Sequence, residues 1–482
     1  MTTANMLIDE NRLFPADLAT RAITSELYKE VKDLPIISPH GHTDPRWFAT
    51  NNNFDNATKL LLIPDHYVFR MLYSQGIKLE QLGIPRVDGG QTSTDYRAIW
   101  QLFAKHYHLF LGTPSRMWLD YVFYYVFNIQ KELNEASADF YYDTINQQLA
   151  SPEFKPRTLL DKFNIEFIAT TEGATDKLLH HEALKGTGYE ARVVTSFRPD
   201  DVVDPEHPNF IENLAILAQQ TGEDTHDWYG YLAALKKRRA FFRYHGATAT
   251  DHGHKTARTA DLSSYECIAL FTKCITGKAS AEEADIFRGQ MLTEMAGMSI
   301  EDGMVMQLHS GVSRSHNKPL LAQFGTDKGA DIPSPANFVD LLQPLLNKHG
   351  NNPQLTLILF TLDETTYARE LAPLAGHYPS LKLGPPWWFH DSPEGMLRYR
   401  QQMTETAGFY NTVGFNDDTR AFLSIPARHD VARRMDCRFL AGLVAEHRLS
   451  IEHAYDLAYQ LSYGLVKKTY MNINPSFATR GV

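Results

Sequence analysis

Short apolar runs alternate with amphipathic helical stretches along almost the whole chain, and this alternation constrains the fold most. Runs of this kind separated by helices read as βα units around a parallel sheet. Eight candidate strands can be counted, at 34–38, 165–171, 192–197, 247–250, 304–309, 355–361, 381–384 and 411–415. Several are continuously apolar, as strands buried on both faces must be. Eight is the number of a closed (β/α)8 barrel, and 482 residues suit one such domain with insertions. With 43% apolar residues the chain can fill a large core. The expected organisation is a single barrel domain over 1–482.

More than a hundred residues separate the first two candidate strands, far beyond an ordinary βα connection. The stretch 45–157 contains ATKLLLIPDHYVFRMLYSQG, YRAIWQLFAKHYHLFL and SRMWLDYVFYYVFNI. These read as helices, so an α-helical insertion over the barrel mouth is expected, its aromatics mostly serving as helix core. The tail from 451 to 467 reads as a closing helix.

Composition excludes several classes. The net charge is −10 and no basic run is present, so nucleic acid is not an expected partner. A small anionic substrate remains compatible, because a site is charged locally. Cys267, Cys274 and Cys437 form neither a CxxC pair nor an even framework and read as reduced thiols of a cytoplasmic protein. The opening MTTANMLIDENRLF has no signal-peptide core, and no apolar run reaches the length of a membrane span.

Polar residues gather where the apolar runs stop, which is where barrel enzymes keep their sites. The first strand runs into Ser-Pro-His40-Gly41-His42, and in an extended chain residues i and i+2 share a face, so both imidazoles suit a divalent transition metal. Alone this pattern is weak; two histidines in a solvated loop look the same. The third strand ends in Arg198-Pro199-Asp200 and the fourth in Asp251-His252-Gly253-His254. The fifth ends at His309 with Arg314 five residues on, and the eighth in Asn416-Asp417-Asp418-Thr419-Arg420. Any one of these reads equally as a helix cap or loop ion pair. Their recurrence at one end of successive strands points to a site.

These residues resemble the uronate isomerases of the amidohydrolase superfamily. The superfamily pattern is HxH after strand one, His after strand five and Asp after strand eight, and His40, His42, His309 and Asp418 fall there. Further stretches resemble the uronate isomerase branch. They are PDHYVFRML around Tyr67, ATTEGATD after strand two, SFRPD around Arg198, TDHG around Asp251, MQLHSGVSR around Arg314, PPWWFHDSPEGM around Trp387 and NDDTRAFLS around Asp418. The bridging Lys after strand four and the His after strand six of the superfamily's binuclear hydrolases have no counterpart, since Thr250-Asp251 and Thr361-Leu362-Asp363 stand there.

The resemblance implies a metal-dependent barrel that interconverts D-glucuronate with D-fructuronate, and D-galacturonate with D-tagaturonate, through a cis-enediol. It implies one divalent ion, expected to be zinc, on His40, His42 and Asp418, with His309 open as a further ligand. The uronate is the expected partner, within a homo-oligomer. The catalytic set is Asp418 as base beside the metal, Arg420 and Tyr67 on the C1 and C2 oxygens, and His40. Arg198, Arg314, Asp251, His309 and Trp387 form the substrate-binding set. By residue type alone, Tyr67 and Trp387 read equally as packing. Two other classes stay in view: a mononuclear amidohydrolase, which would need a His after strand six, and a sugar-acid binder without chemistry, which would be expected to lack Asp418 or the histidines.

Overall fold

The computed structural model describes residues 7–471. The first six residues of the opening segment read above, and 472–482 of the expected 1–482 domain, lie outside the described residues. Seven parallel strands form one curled sheet in sequence order. They are β1 (Ile36–Ser38), β2 (Ile165–Gly173), β3 (Val193–Arg198), β4 (Ala249–His252), β5 (Val305–Ser310), β6 (Leu357–Thr361) and β7 (Leu381–Leu383). A small antiparallel ribbon, Val312–Ser313 with Ile332–Pro333, stands apart from this sheet.

The eighth expected strand, 411–415, is the one departure among the strands. It makes a single parallel bridge, Thr412 to Leu383, and two backbone bonds to that edge. Gly414 is the reason. Its φ of +80° is foreign to a strand, and a Cβ there would lie 2.5 Å from Val466 Cγ2. The segment still does a strand's work: Val413 joins Ile37, Phe167, Ala169, Ile358 and Phe360 in the barrel's interior cluster. Its far end meets β1 through the His42 N–H, which donates to the Thr419 carbonyl at 3.0 Å. Val466 and Tyr470 fill the same interior from the last helix, Leu465–Met471, and the Tyr470 hydroxyl donates to Gln307 Oε1 at 3.0 Å. The barrel is therefore a packed core with its polar groups at one end.

The outer layer follows from capping and amphipathic pattern. Ser263 and Ser280 open the helices Ser264–Ile275 and Ala281–Asp302 as capping boxes with Glu266 and Glu283, each serine accepting from the third backbone N–H while the glutamate reaches back. The inward faces of the outer helices share one cluster with the outer faces of β3, β5, β6 and β7, including Phe197, Met306, Leu357 and Leu381. Between β1 and β2 the chain forms the helices Pro45–Thr50, Ala57–Leu61, His66–Ser74, Tyr96–Lys105, Pro114–Tyr121, Ala138–Leu149 and Pro156–Lys162. Trp100, Phe103, Tyr107, Phe110, Phe123 and Tyr141 are fully buried among them in one cluster. Each side chain of that size is worth roughly 1.5–3 kcal/mol when buried. The tail forms two α-helices, Ile451–Tyr459 and Leu465–Met471, joined by a π-helical turn over Gln460–Gly464.

Candidate active site

At the C-terminal ends of the strands lies a cavity of about 400 Å3. That is within the range of ~300–1,000 Å3 for small-molecule sites. Tyr67, Arg198, Arg314, Arg420, Trp387, Asp251, His309, His40, His42 and Asp418 all line it. His252 and Asp417, which end the same apolar runs, do not. Asp417 turns back into the fold, where its carboxylate meets His429 Nε2 at 3.0 Å.

Asp418 organises the centre. Its φ of +37° is unusual for a residue with a Cβ, and such strain persists only where surrounding contacts enforce it. In that conformation one carboxylate oxygen, Oδ1, lies 3.4 Å from His40 Nε2 and 3.3 Å from His42 Nε2. The two imidazoles are not placed as alternation along a strand would place them. β1 stops at Ser38, and both rings stand on the following loop, nearly edge-on to each other at 80°. Burial would push Asp418's carboxyl upward, but His40 and then His42 hold it well below the usual carboxylate range. Burial likewise opposes a charge on His40, and Asp418 and Asp251 outweigh it and raise that histidine. The electrostatics of this corner favour a cation.

His309 comes from the inner face of β5. Its Nδ1 meets Asp251 Oδ1 at 2.7 Å, which leaves Nε2 as the free nitrogen, and that atom is buried without a partner. A histidine held at one nitrogen by a carboxylate and bare at the other is the usual arrangement of a metal ligand with its support. One ligand atom each from His40, His309 and Asp418 lies within 4.8 Å of the other two. His42 stands just outside that trio, although it touches Asp418. The donor set thus fits one divalent ion, with His309 closer to its centre than the sequence pattern alone indicates. The ring of His309 is held by stacking on Phe360, at 4.1 Å between centroids, and by the edge of Trp387 at 4.7 Å.

Three of the arginines that line the cavity are each steadied by a carboxylate. Arg198 Nε donates to Asp200 at 2.8 Å and its Nη1 lies 3.3 Å from Asp251. Arg314 Nη1 donates to Asp331 at 2.9 Å, and its guanidinium sits 5.1 Å from the Trp388 ring centre. Arg420 Nη2 donates to Asp327 at 3.0 Å. Tyr67 enters from the first turn of the His66–Ser74 helix, whose N-cap Asp65 accepts from the Tyr67 N–H. Its ring packs against Trp118 at 5.8 Å, and burial first of all raises its hydroxyl well above the ordinary tyrosine value. It is both a packing residue and a cavity residue.

The carboxylates Asp327 and Asp331 were not singled out in the sequence. They sit in a loop, GTDKGAD, whose composition signals only a turn. His66 and Arg70 also reach the cavity, and a helical position there reads as surface or core. Positions 250–251 at the end of β4 and 361–363 at the end of β6 hold no Lys and no His. Asp363 instead accepts backbone N–H groups from Ala336 and Thr365. A hydrolase reading is therefore not favoured.

Comparison with known proteins agrees with this geometry. The glucuronate isomerase family model matches residues 10–470. The chain is 60% identical to the uronate isomerase of Xanthomonas euvesicatoria pv. vesicatoria over 470 residues, covering 98% of this chain and all of that one. It is also 60% identical, over the same shares, to the uronate isomerase of Rhizorhabdus wittichii. Among solved structures, glucuronate isomerase from Caulobacter crescentus superposes with a TM-score of 0.95 at 56% identity, over 98% of this chain and 99% of that one. Uronate isomerase from Thermotoga maritima does so with 0.89 at 27% identity, over 96% and 99%. A cavity lined by paired arginines around a histidine–aspartate corner, on a chain matched from end to end by these relatives, belongs to a member of the glucuronate isomerase family.

Proposed function

We propose that this enzyme interconverts D-glucuronate with D-fructuronate, and D-galacturonate with D-tagaturonate, by moving a proton between C2 and C1 of the open-chain sugar. The observation that carries this reading is Asp418, held in a strained conformation between His40 and His42 and facing a cavity ringed by Arg198, Arg314 and Arg420. A carboxylate suits the proton step, and guanidinium forks suit an anionic, polyhydroxylated substrate.

In this account the Asp418 carboxylate takes the proton from C2, the resulting carboxylic acid exchanges with solvent, and it delivers a proton to C1. The C2–H electron pair moves into the C1–C2 double bond of the enediol, and the reverse movement forms the C2 carbonyl. Arg420 and Tyr67 hold the two oxygens whose charge and proton exchange during that step. Arg198 and Arg314 orient the substrate, and Trp387 closes one wall. Asp251 holds His309 and Arg198 in register, so it positions both sides of the cavity. His40, His42, His309 and Asp418 would hold one divalent ion, which we assign as zinc from the two-to-three-nitrogen donor set. When bound, that ion supplies positive charge to the substrate carboxylate and an adjacent hydroxyl.

The chain is read as one barrel domain over 1–482 with 45–157 as its helical insertion, in keeping with seven helices between β1 and β2. Three buried, unpaired cysteines support a cytoplasmic location, and a homo-oligomer is part of the same proposal. Among the described residues no helix is long and apolar enough to cross a membrane.

The test is to mix the purified enzyme with D-glucuronate and, separately, with glucose, and to follow ketose formation by NMR. Uronates should turn over and glucose should not, because glucose offers no carboxylate. Equal turnover of the two would remove the carboxylate-recognising role from the arginines.

A further inference from the structure

The tripeptide His-Gly-His occurs at two strand ends, at 40–42 after β1 and at 252–254 across the end of β4. The imidazoles of the second copy, His252 and His254, lie outside the cavity described above, whose wall Gly253 and Asp200 share. Asp251 points into the barrel against His309, so its neighbour His252 points the opposite way, towards the helical layer. His252 is fully buried and His254 is 6% exposed.

The ring of His252 is engaged at one nitrogen. Its Nε2 lies 3.0 Å from Thr250 Oγ1, and that hydroxyl also reaches the Val305 carbonyl at 3.5 Å, to which it can only donate. With Nε2 engaged by that hydroxyl, Nδ1 is the nitrogen left over. That Nδ1 has no partner, and neither does His254 Nε2. Asp200 faces them, and one ligand atom from each of Asp200, His252 and His254 lies within 4.8 Å of the other two.

The loop is built tightly around this point. The Gly253 N–H donates to the Asp200 carboxylate at 3.0 Å. A Cβ at Gly253 would fall 2.1 Å from Arg198 Nη2 and 2.8 Å from Asp200 Oδ2, so a side chain there would displace one or both. Leaving a buried polar group bare costs about 1–3 kcal/mol. Two bare nitrogens and a carboxylate converging on one point are a coordination set. His254 and Asp200 open on a cleft of about 70 Å3 that Asp204, Glu206 and Lys255 also line. Arg288 stands in the same cleft, but it is paired with Asp204, Glu206 and Asp285.

We propose that Asp200, His252 and His254 form a second divalent-metal site, behind the wall of the substrate cavity that Asp200 shares, suited to a borderline ion such as zinc or cobalt. Two imidazole nitrogens and one carboxylate oxygen supply three ligands, and the cleft leaves a further position for water. Asp200 also accepts from Arg198, so the ion would anchor, from behind, a residue that faces the substrate.

The experiment is metal counting on the full chain. Wild type, His254→Gln and the double variant His40→Asn/His42→Asn are each equilibrated with excess Zn(II) or Co(II), freed of unbound metal and analysed. The expected result is two equivalents in wild type and one in each variant. The Co(II) form of the double variant should then show visible bands from this site alone. One wild-type equivalent that survives His254→Gln and vanishes in the double variant would overturn the proposal and leave water among these residues. One equivalent lost in His254→Gln and kept in the double variant would uphold it and remove the ion from the substrate cavity. His254, at the cleft, is the residue chosen for substitution because it is less enclosed than His252. Should that variant fail to fold, the Co(II) bands of the double variant decide: their presence upholds the site and their absence overturns it.

Discussion

The two His-Gly-His segments share a sequence and differ in everything the fold does with it. At 252–254 the strand continues through the first histidine, so the pleat sends Asp251 inward and His252 outward. At 40–42 the strand has already ended at Ser38, and the loop is pinned instead by the His42 N–H on the Thr419 carbonyl. Both imidazoles there turn towards Asp418. Where the strand stops, and what the next backbone group binds, decides which side of the barrel wall receives the histidines. The inner pair meets a carboxylate, arginines and a cavity; the outer pair meets a carboxylate, and only His254 reaches a small cleft.

The largest effect expected from breaking the inner arrangement is at Asp418. Asp418→Asn keeps the shape and removes the base, so turnover should fall by about 10²–10⁴-fold with the fold unchanged by circular dichroism. Turnover near the wild-type level would remove Asp418 from the proton step. Next is Asp251→Asn, which weakens the support of His309 and of Arg198. Loss of such a support costs about 10–100-fold in activity or metal affinity, to be read from kcat/KM and a zinc titration. An unchanged titration and kcat/KM would show that His309 needs no carboxylate.

Gly414→Ala sharpens the contrast between site and scaffold. It forces a Cβ into a left-handed position against Val466, at the segment that replaces the eighth strand. A cost of roughly 1–3 kcal/mol in unfolding free energy is expected, measured by denaturant melts. The smallest effect belongs to Asp327→Asn. Its pair with Arg420 is partly exposed, 36% and 44%, so it is worth about 0.2–1 kcal/mol, and kcat/KM should change by less than about tenfold. A larger loss would make Asp327 part of substrate recognition.

Much of this was legible before any coordinates. Seven apolar runs became the seven sheet strands because parallel strands buried on both faces must be continuously apolar. The ten residues chosen at strand ends and in the helical segment all reach one cavity. Tyr67 needed the family resemblance, since a tyrosine on a helix reads as core. The eighth strand failed because one glycine at φ +80° leaves no trace in hydropathy. Asp327 and Asp331 were hidden because loop aspartates are ordinary turn residues until an arginine far along the chain comes to meet them. The inward turn of His42 was expected from alternation along a strand, but the backbone bond to Thr419 that pins it was not, since its partner lies 377 positions away by residue number (419 − 42).

The most direct test of the central claim runs D-glucuronate with wild type and with Asp418→Asn in D2O, following C1 and C2 by NMR. The account predicts ketose carrying solvent deuterium at C1 with wild type, and ketose formation slowed by about 10²–10⁴-fold in the variant. Ketose that retains all of the original C2 hydrogen at C1, formed equally fast by Asp418→Asn, would contradict proton transfer through Asp418.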